Sequence, residues 1–87
     1  MTNVSTTVKR IYGATASGSQ GEKLGFLDTA AKVAQNDTVT ITNANTVIFA
    51  GISIDATGAS EANTLATNVI TCTSSTTGAV SGFVYYK

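Results

Sequence analysis

The segment Thr38-Val39-Thr40-Ile41-Thr42 alternates without a break between hydroxyl and aliphatic side chains. A period of two marks a strand with one covered face and one open face. β-branched residues pack well on a pleated sheet and lose rotamer freedom in a helix, so the segment reads as strand. Two longer stretches are apolar on both faces. In residues 46–55, Ile48, Ala50, Ile52 and Ile54 make one face, while Val47, Phe49 and Gly51 keep the other apolar for its first half. Ser53 and Asp55 then turn that second face polar, so this strand reads as central at its start and half-exposed at its end. In residues 79–86, Val80, Val84 and Tyr86 line one face, and Phe83 and Tyr85 the other.

The rest of the chain fills in around these strands. Residues 4–12 read as a first strand with Val4, Val8 and Tyr12 on one face. Short strands are expected around Leu24, Phe26 and Leu27, around Leu65, and over residues 68–73. Gly13, Asn36-Asp37, Asn43-Ala44-Asn45, Gly58 and the hydroxyl-rich run ending in Gly78 are the turn signals between them. Residues 14–21 read as an exposed loop. Residues 28–36 admit two readings: a helical turn capped by Asp28, or a small-residue connector laid across a sheet edge. Residues 38–55 and 68–86 echo each other as strand, polar turn and apolar strand, which reads as two β-hairpins. A chain of 87 residues is one domain. The expectation is an all-β fold, a small antiparallel β-sandwich or partly open β-barrel of six or seven short strands.

Composition removes most chemistries. Charged residues are 11%, with five cations balancing five acids, against ~25% in an ordinary domain. Lys9, Arg10, Lys23, Lys32 and Lys87 form no stripe, which argues against nucleic acid and against an anionic membrane surface. The chain has no His, so Ser-His-Asp and Cys-His arrangements are impossible within it. Cys72 is the single cysteine and reads as a small buried hydrophobe. No apolar run approaches ~18 residues, and residues 1–5 lack a basic and then apolar leader pattern, so neither a membrane span nor a targeting segment is expected. Asn3-Val4-Ser5 and Asn36-Asp37-Thr38 match the glycosylation pattern and are read as chance matches.

Two short motifs fall to plainer explanations. Asp55-Ala56-Thr57-Gly58 carries one residue too many for an aspartic-protease Asp-Thr-Gly, and a strand-ending turn explains it. Gly18-Ser19-Gln20-Gly21-Glu22-Lys23 lacks the spacing of a phosphate loop and reads as a flexible loop. The carboxylates Glu22, Asp28, Asp37, Asp55 and Glu61 all sit in or beside expected turns, where they serve solubility. A calcium site shared by Asp37, Asp55 or Glu61 with loop carbonyls stays open at this point, although no loop carries alternating oxygen ligands at the spacing of known calcium loops. The expectation is a protein that is not an enzyme, with no catalytic, cofactor-binding or metal-binding residues and no cofactor.

An isolated domain of two layers needs one apolar face per sheet, and this chain carries more. Its polar remainder is mostly Thr, Ser and Asn, which carry little desolvation and side-chain entropy penalty on association. These features point to a structural or interaction protein that works in an assembly. Adjacent tyrosines point to opposite faces of a strand, so Tyr85 and Tyr86 cannot share one core. The candidate interface residues are Val4, Val8, Tyr12, Phe49, Phe83, Tyr85 and Tyr86.

A short, Pro-free chain rich in Thr, Ala, Ser and Asn runs through Asn36-Asp37-Thr38-Val39-Thr40-Ile41-Thr42-Asn43 and Asp55-Ala56-Thr57-Gly58-Ala59. It continues through Thr76-Thr77-Gly78-Ala79 to Phe83-Val84-Tyr85-Tyr86-Lys87. It resembles the small virion proteins of tailed bacteriophages, above all the head decoration or cement proteins of marine and cyanobacterial phages. The pattern covers residues 36–87, and length and composition extend the likeness to the whole chain. The resemblance implies a β-rich protein made in the host cytoplasm and bound outside the major capsid protein shell, as a homo-oligomer (trimer or dimer). It implies a role in stabilising the expanded head. The chain departs from some decoration proteins in lacking a long Pro/Gly-rich N-terminal arm, though residues 1–12 could add a strand to a neighbour's sheet. Two alternatives share these features: another virion component of the tail, neck or fibre, and a carbohydrate- or host-binding β-module using Tyr12, Tyr85 and Tyr86.

Overall fold

The structure is a computed structural model that describes residues 3–13 and 21–87, and the side chains of all of these except residues 29–32. Most of the expected loop at residues 14–21 lies outside the described residues. The fold is all-β. Its strands are β1 (Asn3–Thr6), β2 (Lys9–Gly13), β3 (Lys23–Lys32), β4 (Asp37–Ile41), β5 (Val47–Ile54), β6 (Asn63–Ala66), β7 (Val69–Cys72) and β8 (Gly78–Tyr86). They form two sheets of four strands, β1-β4-β7-β6 and β2-β3-β8-β5. The arrangement is that of a small β-sandwich. All neighbouring strands are antiparallel except β1 and β4, which run parallel with Asn3 opposite Thr38 and Thr6 opposite Ile41.

The expected first strand over residues 4–12 is bent into two. The chain leaves the first sheet at Thr7, buries Val8 (3% exposed) at the corner, and enters the second sheet as β2. Asn43 fixes the corner: its side-chain oxygen accepts from the Val8 N–H (3.0 Å) and its amide donates to the Val8 carbonyl (2.8 Å). Strands that switch sheets at such bends are how two crossed sheets share an edge.

The opposite side is closed differently. β5 is an edge strand rather than a central one. Its outer backbone groups are taken by residues 59–67: Val47 N–H donates to Thr67 O (2.8 Å), Asn63 Nδ2 to Ala50 O (3.1 Å), and Glu61 N–H to Ile52 O (2.9 Å). Ile54 N–H donates to Ala59 O (2.8 Å). The two sheets are thus stitched together along this edge.

Two readings of local structure are corrected. Residues 28–36 form neither a helical turn nor an edge connector. β3 runs on to Lys32 as a strand paired with β8, past Phe26 where its pairing with β2 ends, with a register shift between Leu27 and Ala30. A turn follows in which the Asp37 carboxylate accepts from Val33 N–H (2.7 Å) and Ala34 N–H (2.9 Å), and Asn36 adopts φ 69°. The two expected hairpins are arches between sheets. β4 pairs with β1 and β7, while β5 and β8 pair with each other. A tight hairpin does join β6 to β7 through Thr67-Asn68, with Thr67 at φ 51°.

The core lies between the sheets. Val39, Ile41, Ile70 and Cys72 come from one, and Leu27, Ala50, Ile52, Ile54, Val80, Val84 and Tyr86 from the other. Cys72 is fully buried, as expected. Gly82 sits in the middle of β8 at φ 152°, between Leu27 and Ile52. A Cβ there would collide with the Gly51 carbonyl oxygen and stand 2.8 Å from the Ile52 Cα. Both are backbone atoms and cannot give way. Gly82→Ala is therefore expected to destabilise the fold by about 3 kcal/mol or more, read from the shift in urea midpoint.

Candidate functional site

The pleat of β8 divides its side chains. Val80, Val84 and Tyr86 are buried, and the alternate residues Phe83 (53% exposed) and Tyr85 (39%) face outward. Register carries this face across the sheet. Phe83 lies opposite Phe26 on β3 and Gly51 on β5, and Tyr85 lies opposite Leu24 and Phe49. Tyr12 on β2 is opposite Leu24, and Lys9 is opposite Phe26. Directly opposed residues share a face, so Tyr12, Leu24, Tyr85 and Phe49 form one row, and Lys9, Phe26, Phe83 and Gly51 the next.

The second row is packed through its aromatics. Phe26 and Phe83 meet edge to face, with ring centroids 5.8 Å apart and planes at 71°. The Phe49 ring occupies the space a side chain on Gly51 would need, its edge 3.0 Å from that Cβ position. Past the aromatics the face turns polar: Ser53 and Ser81 are paired, Ser81 Oγ donates to the Asp55 carboxylate, and Asp28 is exposed after buried Leu27. The result is an exposed aromatic patch bordered by Lys9 at one edge and acids at one end.

The first sheet presents the opposite chemistry. Its outer face carries Asn3, Thr38, Thr71 and Thr64 in one row across four strands. The Thr38 and Thr40 hydroxyls both donate to the Asn3 side-chain oxygen (2.7 and 2.8 Å).

The candidate interface residues separate into two groups. Tyr12, Phe49, Phe83 and Tyr85 come together on the outer face of the second sheet. Val8 and Tyr86 are core residues, and Val4 is half-buried against the core. A β-bulge explains the partner that was missed: the register shift between Val47 and Phe49 turns Val47 into the core and leaves Ile48 (42% exposed) outside, reversing the expected face of Ile48. Ile11 is displaced in the same way by the irregularity between Arg10 and Tyr12. Leu24 and Phe26 belong to the patch as well, and no local signal ties them to Phe83 and Tyr85.

The turn carboxylates also need correction. Asp37 and Glu61 are buried (2% and 1% exposed) and do not serve solubility. Glu61 accepts from the Ser74 N–H (2.9 Å) and Oγ (2.8 Å), tying the start of β6 to the end of β7. No group of three or more His, Cys, Asp and Glu able to hold a metal ion occurs among the described residues.

Tyr86 is the inward counterpart of the patch. Its ring is buried, and Lys23 Nζ lies 5.5 Å from the ring centroid. Burial pushes its hydroxyl above the ordinary 10.0, and the Arg10 charge pulls the other way. A raised folded-state value means the neutral phenol is the favoured form in the fold. Its contribution is complete below pH 10.0 and is lost as pH rises through the higher folded value. Stability should therefore fall as pH rises above 10.0 by an amount that Tyr86→Phe reduces, read from urea midpoints on either side of that pH.

The fold and this face define a small β-sandwich with one exposed aromatic sheet surface. Comparison with protein-family models, curated proteins and solved structures gives no match. The patch and the core are separable by mutation. Phe49→Ser and Phe83→Ser should each cost about 1.5 kcal/mol at most, and Ile70→Ala about 2–5 kcal/mol. The two surface variants should also lower the fluorescence of a hydrophobic dye bound to the native chain.

Proposed function

We propose that this chain is a structural virion subunit, a capsid decoration protein that binds the outside of the major capsid protein shell, and not an enzyme. The observation that carries the reading is the exposed row of Tyr12, Tyr85 and Phe49 with Phe83 beside it. Contiguous apolar surface of this kind marks protein contact sites. Tyrosine suits contacts that are dry at the centre and wet at the rim. Low charge and a hydroxyl-rich remainder support the same reading, because association then strips few ions of water. The major capsid protein as partner comes from the likeness to head decoration proteins. Repeated copies on a symmetric shell would turn modest single contacts into tight attachment.

The test is cosedimentation of the purified chain with expanded heads of the virus that encodes it. Saturable binding at a fixed number of copies per head, together with a higher temperature of DNA release, is the expected result. A chain that stays in the supernatant at every ratio overturns the reading. A second reading draws on the same row: tyrosine rings spread across a sheet suit stacking on sugar rings. A glycan screen with a Tyr12→Ala, Tyr85→Ala control checks it.

A further inference from the structure

Outside the aromatic row, several polar groups are spent inside the fold. Asp37 accepts backbone N–H groups, and Glu61 holds Ser74. The Thr38 and Thr40 hydroxyls turn to Asn3. The Tyr86 hydroxyl is different. Tyr86 is 2% exposed, yet among the described residues nothing hydrogen-bonds to its hydroxyl. Every fully buried side-chain nitrogen or oxygen among those residues has a partner, so this oxygen reaches solvent at the end of a buried ring. We infer that the Tyr86 hydroxyl, with Arg10 of β2 and Lys23 of β3, forms a binding site for a phosphate group at the inner edge of the second sheet. The inference does not rest on the decoration reading, because this site and the aromatic row lie on opposite faces of the sheet.

Register sets the three side chains on one face. Lys23 lies opposite Tyr86 on β8 and Gly13 on β2, and Arg10 lies opposite Gly25, two residues along β3. Directly opposed residues share a face, and buried Tyr86 marks this one as inner. The Tyr86 ring crosses β3 over Gly25, where a side chain would block it: a Cβ on Gly25 would stand 2.8 Å from Tyr86 Cε1. The ring is thus laid from β8 across β3, and its hydroxyl end faces the β2 edge that bears Arg10. Lys23 Nζ lies 5.5 Å from the centroid of the same ring.

The donors suit an oxyanion. By strand spacing and residue rise, the Cα atoms of Arg10 and Lys23 stand roughly 8 Å apart, a gap that two long side chains can close on one small group. Each head is held at the rim: Arg10 Nη1 donates to Gly13 O (3.4 Å) and Lys23 Nζ to Gly21 O (3.3 Å). Most of the guanidinium and ammonium donors remain for a ligand, and among the described residues no ion pair takes either cation. Burial keeps the phenol in its neutral, donating form. Two cations and a hydroxyl donor match the charge and the several acceptor oxygens of a phosphate dianion, and the guanidinium fork fits those oxygens. A carboxylate brings less charge and fewer oxygens.

The experiment is a titration of the full chain with inorganic phosphate at constant ionic strength, followed by amide shifts in two-dimensional NMR. Sodium chloride and sodium acetate are the parallel series, and the spectrum of each variant confirms that it is folded. Saturable shifts at Arg10, Lys23 and Gly25 are expected with phosphate and with neither control salt. Glycerol phosphate is the second probe: equal binding assigns the site to the terminal phosphate of a larger molecule, and binding of phosphate alone assigns it to the free ion. Tyr86→Phe keeps the ring, removes one oxygen, and should raise the phosphate dissociation constant about tenfold. Arg10→Gln and Lys23→Gln, both at the rim, should each raise it severalfold. Shifts that grow linearly with phosphate, equal shifts with chloride or acetate, or a Tyr86→Phe chain that binds like the native one overturn the inference. A chain that binds phosphate but stays in the supernatant with heads keeps this site and removes the decoration role.

Discussion

The packing of β8 between β3 and β5 sets both the inside and the outside of this molecule. Val80, Val84 and Tyr86 must point inward, because they fill the space against Val39, Ile41 and Ile70 of the other sheet. A strand alternates strictly, so Phe83 and Tyr85 are carried outward by the same geometry that hides their neighbours. Gly82 permits the arrangement, since only a residue without a side chain fits where β8 crosses the Gly51 carbonyl. The exposed aromatic surface follows directly from a well-filled core. It cannot be relieved by shifting β8 one residue, which would place Phe83 and Tyr85 inside and expel Val84 and Tyr86.

Three of the sheet edges are treated in ways that oppose strand-to-strand pairing. β5 is covered along its length by hydrogen bonds from residues 59–67. β2 carries Lys9 and Arg10 and an irregular register at Ile11, features that oppose strand-to-strand pairing. β1 is only four residues long. These three edges offer little to strand pairing, whereas the outer face of the second sheet leaves Tyr12, Phe49, Phe83 and Tyr85 exposed.

What could be read from the residues alone tracks how local each signal is. The faces of β4 were legible because its alternation is unbroken; in β8, apolar on both faces, the residues divide into Val80, Val84 and Tyr86 against Phe83 and Tyr85 without a sign of which set is buried, so core Tyr86 was grouped with the interface. The all-β class was legible because Val, Ile and Thr dominate wherever the chain is apolar. The phase of β5 was not, because a bulge at Ile48 leaves no mark in a uniformly apolar run. Hairpins and arches share the same turn residues, so Asn43-Ala44-Asn45 announces a reversal without saying which sheet the chain enters next. The bend at Val8 depends on Asn43, thirty-five residues away. For the candidate site, Tyr12, Phe49, Phe83 and Tyr85 were grouped with Val4, Val8 and Tyr86, and only the adjacency of Tyr85 and Tyr86 gave a physical reason for an aromatic to leave the core. The meeting of the first four on one face is a property of the β2-β3-β8-β5 order, which no local pattern encodes. Asp37 and Glu61 looked like ordinary turn acids because the N–H groups they satisfy are created by the fold.

The two outer faces differ in what they can offer a partner. On the first sheet, Thr38 and Thr40 already donate to Asn3, so a partner would have to replace bonds that the chain makes with itself. Net gain from such an exchange is small. On the second sheet, Phe49, Phe83, Tyr85 and Tyr12 meet water without compensation, and their removal from it is favourable in proportion to area. With 11% charged residues, the chain has few ions with which to keep that face solvated. The balance of these terms leaves one outer face with little to gain from contact and the other with apolar area that contact would remove from water.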